Sequence, residues 1–241
     1  MPADALVLLH GALFSPAQFS ALKQLAESHF DVLTPAFPGH GGSSIPLDGF
    51  SISSFSESVL SVLDRAAIQR ACVFGYSLGG YVALEMAIQH PDRILAVTTL
   101  GTKLDWNEDT AAVETRLLNP EKMRMKIPGF VSQLERIHHP TDWSLVVEEI
   151  ANFLTELGKK PVLTTNRLSE VKCPVLMLNG ALDQTASANS TTQWIKSIAN
   201  GKAILIPDVA HPFDSCPTDV LWDKLKSFFL SLPQHGINPV H

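Results

Sequence analysis

The stretch Ala71-Cys72-Val73-Phe74-Gly75-Tyr76-Ser77-Leu78-Gly79-Gly80-Tyr81-Val82-Ala83-Leu84 constrains the fold more than any other part of the chain. A short apolar, strand-favouring run stops at Gly75. A helical pattern follows through Val82, Leu84 and Met86 to His90, where Pro91 blocks continuation. Ser77 is thereby expected on a sharp turn between a strand and a helix. The G-x-S-x-G spacing serves that geometry: glycines let two backbones approach closely, and the turn lifts the serine hydroxyl above the sheet. The N-terminal N–H groups and positive dipole end of the helix would lie beneath any negative charge developing there. Ser77 is the first candidate nucleophile.

The remaining chain alternates strands with helices. Asp4 to Leu9 is a continuous apolar run, as expected of a strand buried on both faces of a parallel sheet, and it ends in His10-Gly11-Ala12-Leu13. Ser15-Pro16 offers a helix start, with Phe19, Leu22 and Leu25 at helical spacing. Asp31 to Phe37 reads as the second strand, followed by the glycine-rich loop Pro38 to Ser44 and a helix carrying Phe55, Val59, Val62 and Leu63. After the strand before Ser77 come a fourth strand at Ile94 to Leu100, a fifth at Pro174 to Asn179 and a sixth at Ala203 to Ile206. The last helix holds Val220, Leu221, Leu225, Phe228 and Phe229. This alternation predicts an α/β fold, a mainly parallel six-stranded sheet flanked by helices. Between Thr102 and Glu170 no strong strand occurs, only helical pieces, so residues 102–170 are expected to form an inserted helical cap. The core would then comprise residues 1–101 and 171–232, with 233–241 a mobile tail.

Bulk properties exclude several classes. The formal charge of −6 leaves no electrostatic footprint for nucleic acid or an anionic membrane. No apolar run approaches the roughly 20 residues needed to span a bilayer, and Ala5 to Leu9 is too short for a secretory leader. Cys72, Cys173 and Cys216 are scattered, without metal-ligand spacing. A cytoplasmic setting is expected.

Acyl chemistry on a serine needs a base, an acid to orient that base, and donors for an oxyanion. In an open parallel sheet these come from loops at the carboxyl ends of strands. Asp183 lies just past the fifth strand and His211 just past the sixth, giving the order Ser77, Asp183, His211. Asp105, beyond the fourth strand, and Asp208 are alternative acids, and His40 is the nearest rival base. On these residues the chain resembles the α/β-hydrolase superfamily over nearly its whole length. The resemblance implies that His10-Gly11-Ala12 supplies an oxyanion N–H from Ala12, with the partner N–H from Leu78. Pro38-Gly39-His40-Gly41-Gly42-Ser43 also matches a frequent family sequence. The family's first two strands are not found ahead of Asp4, and Pro212 after His211 departs from its commonest continuation.

The expected function is hydrolysis of a small carboxylic ester or lactone through an acyl-enzyme, with no metal or organic cofactor. The expected partner is a small acyl substrate, and the sequence does not fix the oligomeric state. Leu13, Tyr76, Phe130, Trp143 and Met123 are candidate pocket residues, with Trp106, Met125 and Phe153 as further apolar candidates. Lys122, Arg124 and Lys126 read as a solvated basic face. A serine at the turn argues against superfamily branches whose nucleophile is aspartate. The alternative is carbon–carbon bond chemistry of the same fold, because Pro38 to Ser43 and Gly75 to Gly80 also resemble the menaquinone-pathway synthase that eliminates pyruvate. That family generally follows the double glycine with arginine, where this chain has Tyr81. A further alternative is a ligand-binding protein without catalysis.

Overall fold

In the computed structural model, residues 5–232 are described. The six strands are β1 (Ala5–Leu9), β2 (Asp31–Leu33), β3 (Ala71–Tyr76), β4 (Ile94–Leu100), β5 (Val175–Gly180) and β6 (Gly201–Ile206). They pair in the order β2-β1-β3-β4-β5-β6, and every pair is parallel. Side chains alternate across the sheet, so each fully buried strand feeds two cores. Val7, Leu9 and Val73 point to one face, with Phe55, Val59 and Leu63 of helix α2 (Ile52–Arg65). Leu6, Leu8 and Phe74 point to the other, against Leu22 of α1 (Ser20–Ala26) and Leu221 and Leu225 of the C-terminal helix (Thr218–Leu230). The chain is an α/β protein with helices on both sheet faces.

Two local readings change. The second strand stops at Leu33 instead of Phe37, because Pro35 has no N–H for a ladder and the Phe37 N–H donates to His10 Nε2 at 3.1 Å. Ser15 does not cap an α-helix directly; a short 3-10 turn, Pro16–Phe19, precedes α1, and the Ser15 side chain makes no capping bond. The start of the first strand at Asp4 and the tail expected at 233–241 lie outside the described residues.

Helix α3 (Leu78–Gln89) follows β3, and five helices lie between β4 and β5: α4 (Glu108–Thr115), α5 (Pro120–Lys126), α6 (Pro128–His138), α7 (Trp143–Lys159) and α8 (Thr165–Leu168). They start on side-chain caps where the sequence offers them. Asn107 and Thr110 form a capping box for α4, and Asn119 and Asp142 cap α5 and α7. After β5 come α9 (Ala188–Trp194), β6 and finally α10 (Thr218–Leu230). Among the described residues no helix is long and apolar enough to cross a membrane.

Helices α4 and α7 pack closely because α7 presents Gly158. A Cβ there would sit 2.4 Å from Ala111 Cβ and 2.8 Å from the Asn107 carbonyl oxygen. Gly158→Ala must therefore push α4 away, and it should destabilise the fold by about 1–3 kcal/mol despite alanine's better helix propensity. Urea midpoints of the two proteins measure this. An unchanged or raised midpoint would mean that α4 yields freely.

Candidate active site

Ser77 stands between β3 and α3 with φ 52° and ψ −114°, a conformation that costs a non-glycine residue on the order of 1–3 kcal/mol. Its N–H donates to the Leu100 carbonyl at 2.9 Å, and its carbonyl accepts from Thr102 Oγ1 at 3.0 Å. The flanking glycines are required by contact: a Cβ on Gly79 would lie 2.0 Å from the Leu9 carbonyl oxygen, and one on Gly75 2.3 Å from the Gly79 carbonyl.

The structure brings Ser77, His211 and Asp183 together. Ser77 Oγ is 3.3 Å from His211 Nε2, and His211 Nδ1 is 2.8 Å from Asp183 Oδ2. The Asp183 side chain is almost fully buried, and its other oxygen accepts the N–H groups of Thr185 and Ala186, both at 2.8 Å. A buried carboxylate needs such donors to remain an acceptor for histidine. Asn179 stiffens the same turn through its side-chain N–H₂ to the Ala186 carbonyl at 2.6 Å. The His211 loop is held by Ser215, whose Oγ accepts the Ala210 N–H at 3.1 Å, and by Tyr76, whose hydroxyl donates to the His211 carbonyl at 2.9 Å. Gly101 passes beside the pair at φ +62°, where a Cβ would lie 3.1 Å from Asp183 Oδ2.

The competitors are placed elsewhere. Asp105 is exposed and accepts the Trp194 indole N–H. Asp208 is exposed in a positive-φ turn. His40 is fully buried, donating Nδ1–H to the Pro38 carbonyl at 2.9 Å. It belongs to a ladder of three buried imidazoles: ring centroids are 5.2 Å apart for His10 and His40 and 5.6 Å for His40 and His138. His10 accepts the Phe37 N–H on Nε2, so Nδ1 carries the proton and donates to the Gly11 carbonyl at 2.8 Å. His138, from α6, donates Nε2–H to the Leu13 carbonyl at 3.1 Å. Leu13 itself has φ 63°.

A cavity of about 220 Å³ opens onto Ser77 and His211, below the roughly 300–1,000 Å³ of drug-sized sites. Ala12, Leu13, Tyr76, Leu78 and Trp106 are among its lining residues. Phe130, Trp143 and Met123 are not among its lining residues. Met123 and Trp143 are buried in the packing among the helices between β4 and β5, Trp143 with Arg124 5.0 Å from its ring, and Phe130 stands behind Phe14, 6.2 Å between centroids. Met125 is exposed and Phe153 packs on Phe55. The apolar wall comes instead from Ile150, Leu154 and Leu157, one stripe of α7 at helical spacing that the sequence carries openly. Lys103 and Glu114 also line the cavity, ion-paired at 3.1 Å, and neither stood out in the sequence. Lys122, Arg124 and Lys126 are exposed.

Burial holds the histidine ladder neutral. Burial lowers His10 from 6.5 to about 4, with the Gly11 carbonyl partly opposing. Burial, then His10, holds His40 well below 6.5, and burial lowers His138. As pH falls below 6.5, the unfolded chain takes up protons that the fold refuses. Stability is therefore full above that pH and is lost toward about pH 4, where His10 itself protonates in the fold. The slope should approach about 1.4 kcal/mol per pH unit for each of His10 and His40, with His138 adding in the same direction. Unfolding free energies measured from neutral pH down to mildly acid pH test this, and a flat profile would contradict it.

Residues 4–123 match a family model described as alpha/beta hydrolase fold. The chain is 30% identical over 162 residues to a pimeloyl-[acyl-carrier protein] methyl ester esterase of Aromatoleum aromaticum, an alignment covering 67% of this chain and 53% of that protein. It therefore spans about half the length of that relative. It is 24% identical over 232 residues to a Bacillus subtilis protein provisionally described as a 2-succinyl-6-hydroxy-2,4-cyclohexadiene-1-carboxylate synthase, over 86% of this chain and 84% of that one. The solved enol-lactonase from Burkholderia xenovorans LB400 is alike in fold, with a TM-score of 0.76 at 20% identity over 95% of this chain and 92% of that one. With its parallel sheet, its strand–serine–helix turn and these likenesses in agreement, the chain belongs to the α/β-hydrolase superfamily.

Proposed function

We propose that the protein is a serine hydrolase that cleaves a small carboxylic ester or lactone through an acyl-enzyme. The observation that carries this is the line of contacts from Asp183 Oδ2 to His211 Nδ1, 2.8 Å, and from His211 Nε2 to Ser77 Oγ, 3.3 Å, opening onto an apolar cavity. In this reading His211 takes the Ser77 proton as the oxygen attacks the acyl carbonyl, and Asp183 fixes the imidazole tautomer and stabilises the imidazolium. The N–H groups of Ala12 and Leu78, neither of which donates to another group among the described residues, receive the oxyanion. His211 then returns its proton to the leaving alcohol, and water releases the acyl group by the reverse sequence. The helices between β4 and β5 act as a cap whose α7 stripe limits the acyl group to a short chain. The esterase and enol-lactonase likenesses support this class.

The second reading, carbon–carbon bond chemistry, is favoured by the alignment with the B. subtilis protein. Two features weigh against a polyanionic substrate. Tyr81, where the synthases generally carry arginine, is buried and accepts the Leu163 N–H at 2.8 Å, with burial raising its pKa to about 12. The cavity's lysine, Lys103, is already paired with Glu114.

Hydrolysis of a chain-length series of p-nitrophenyl esters, by the unaltered protein and by Ser77→Ala, tests the proposal. The variant should lose several orders of magnitude in kcat, with short acyl chains preferred by the parent. Absence of turnover on every ester would overturn the esterase reading in favour of carbon–carbon substrates or a ligand-binding role. Equal turnover by both proteins would remove Ser77 as nucleophile.

A further inference from the structure

The lining of the cavity is largely apolar away from Ser77 and His211, and it holds one charged pair. Lys103 and Glu114 both line it, with side chains only 14% and 24% exposed. An ammonium has three donors. Lys103 Nζ spends one on Glu114 Oε1 and one on the Thr185 carbonyl, each at 3.1 Å, and sits 5.7 Å from the Trp106 ring centroid. One N–H is left. Glu114 uses Oε1 alone, so Oε2 is left as an acceptor. The two charges cancel, and what the pair offers the cavity is one donor beside one acceptor in a largely apolar setting.

We propose that Lys103 and Glu114 form a polar subsite that selects substrates carrying a hydroxyl on the acyl chain, a reading that rests on the hydrolase function proposed above. A hydroxyl accepts from Lys103 Nζ and donates to Glu114 Oε2 at once, so it satisfies both spare positions. A terminal methyl group satisfies neither and leaves the pair desolvated without return. A terminal carboxylate satisfies Lys103 but meets the Glu114 charge, so the pair discriminates against it. A hydroxy ester is also what an opened lactone resembles, which joins this subsite to the ester and lactone class.

The pair has a structural task as well, since Lys103 bonds the loop that carries Asp183: Thr185, whose carbonyl it holds, gives its N–H to Asp183 Oδ1 at 2.8 Å. The test must separate that task from recognition. Titration calorimetry on the Ser77→Ala protein reads binding without turnover. The ligands are methyl esters from butyrate to octanoate, each in unsubstituted, terminally hydroxylated and terminally carboxylated form. At the chain length that reaches the pair, the hydroxylated ester should bind on the order of tenfold tighter than the unsubstituted one. Lys103→Met should bring that ratio to about one. Glu114→Gln leaves the lysine charge uncompensated and should raise affinity for the carboxylated ester by on the order of tenfold.

No preference for the hydroxylated form at any length would overturn the proposal. So would a preference that survives Lys103→Met, or a loss of all three ligands alike in both variants, which is the signature of a purely structural pair. If Lys103→Met fails to fold, the parent preference and the Glu114→Gln switch still decide. A hydroxyl preference in binding together with no ester turnover by the unaltered protein would retain the subsite and remove the hydrolase reading.

Discussion

The site depends on one backbone contact, where the first turn of α3 meets the end of β1. Gly79 lies so close to the Leu9 carbonyl that a Cβ would come within 2.0 Å of it, and Gly75 is equally closed against Gly79. That approach fixes Ser77 in its strained turn and draws the loop after β1 alongside it. A Cβ on Gly11 would stand 3.6 Å from Ser77 Cβ. Ala12 and Leu78, which follow Gly11 and Ser77, both line the cavity there. Strain at a functional residue persists only where its surroundings over-determine it, and here the Leu100 carbonyl, Thr102 and the glycine contacts do so.

The loops that carry Asp183 and His211, after β5 and β6, follow the same logic. β5 and β6 run in register to Gly180 and Ile206, and a Cβ on Gly180 would fall 2.2 Å from the Val209 carbonyl. The two loops are pressed together by main-chain contact before Asp183 or His211 is reached. Asp183 can then be buried at almost no exposure because Thr185, Ala186 and His211 supply donors to both of its oxygens.

What the sequence made legible is what is local. Strands buried on both faces, the serine turn and the order Ser77, Asp183, His211 depend on spacing within short segments and on motif order, and the structure brings those side chains together. The cavity wall was harder, because residue size misled: Met123 and Trp143 are large and fill the packing among the helices between β4 and β5, leaving Ile150, Leu154 and Leu157 to face the site. Lys103 was invisible for another reason. Its meaning lies in partners 11 and 82 residues away. The buried histidines are similar, for a polar residue gives no periodic signal, and His138 finds its acceptor 125 residues off.

Those long-range polar contacts also decide how the segment between β4 and β5 is held. Each joins the segment between β4 and β5 to a different part of the chain around Ser77: Leu163 N–H to Tyr81 on α3, His138 to the Leu13 carbonyl after β1, and Lys103 to the Thr185 carbonyl beside Asp183. Apolar packing is non-directional and would let helices slide. A mostly buried hydrogen bond does not, since breaking it leaves a desolvated group at a cost of about 1–3 kcal/mol. Three such ties, to one helix and two loops, hold the segment between β4 and β5 against both translation and rotation. The helices between β4 and β5 thus form a fixed wall, and the shape of the cavity is set by the same bonds that hold the loops around Ser77 in place.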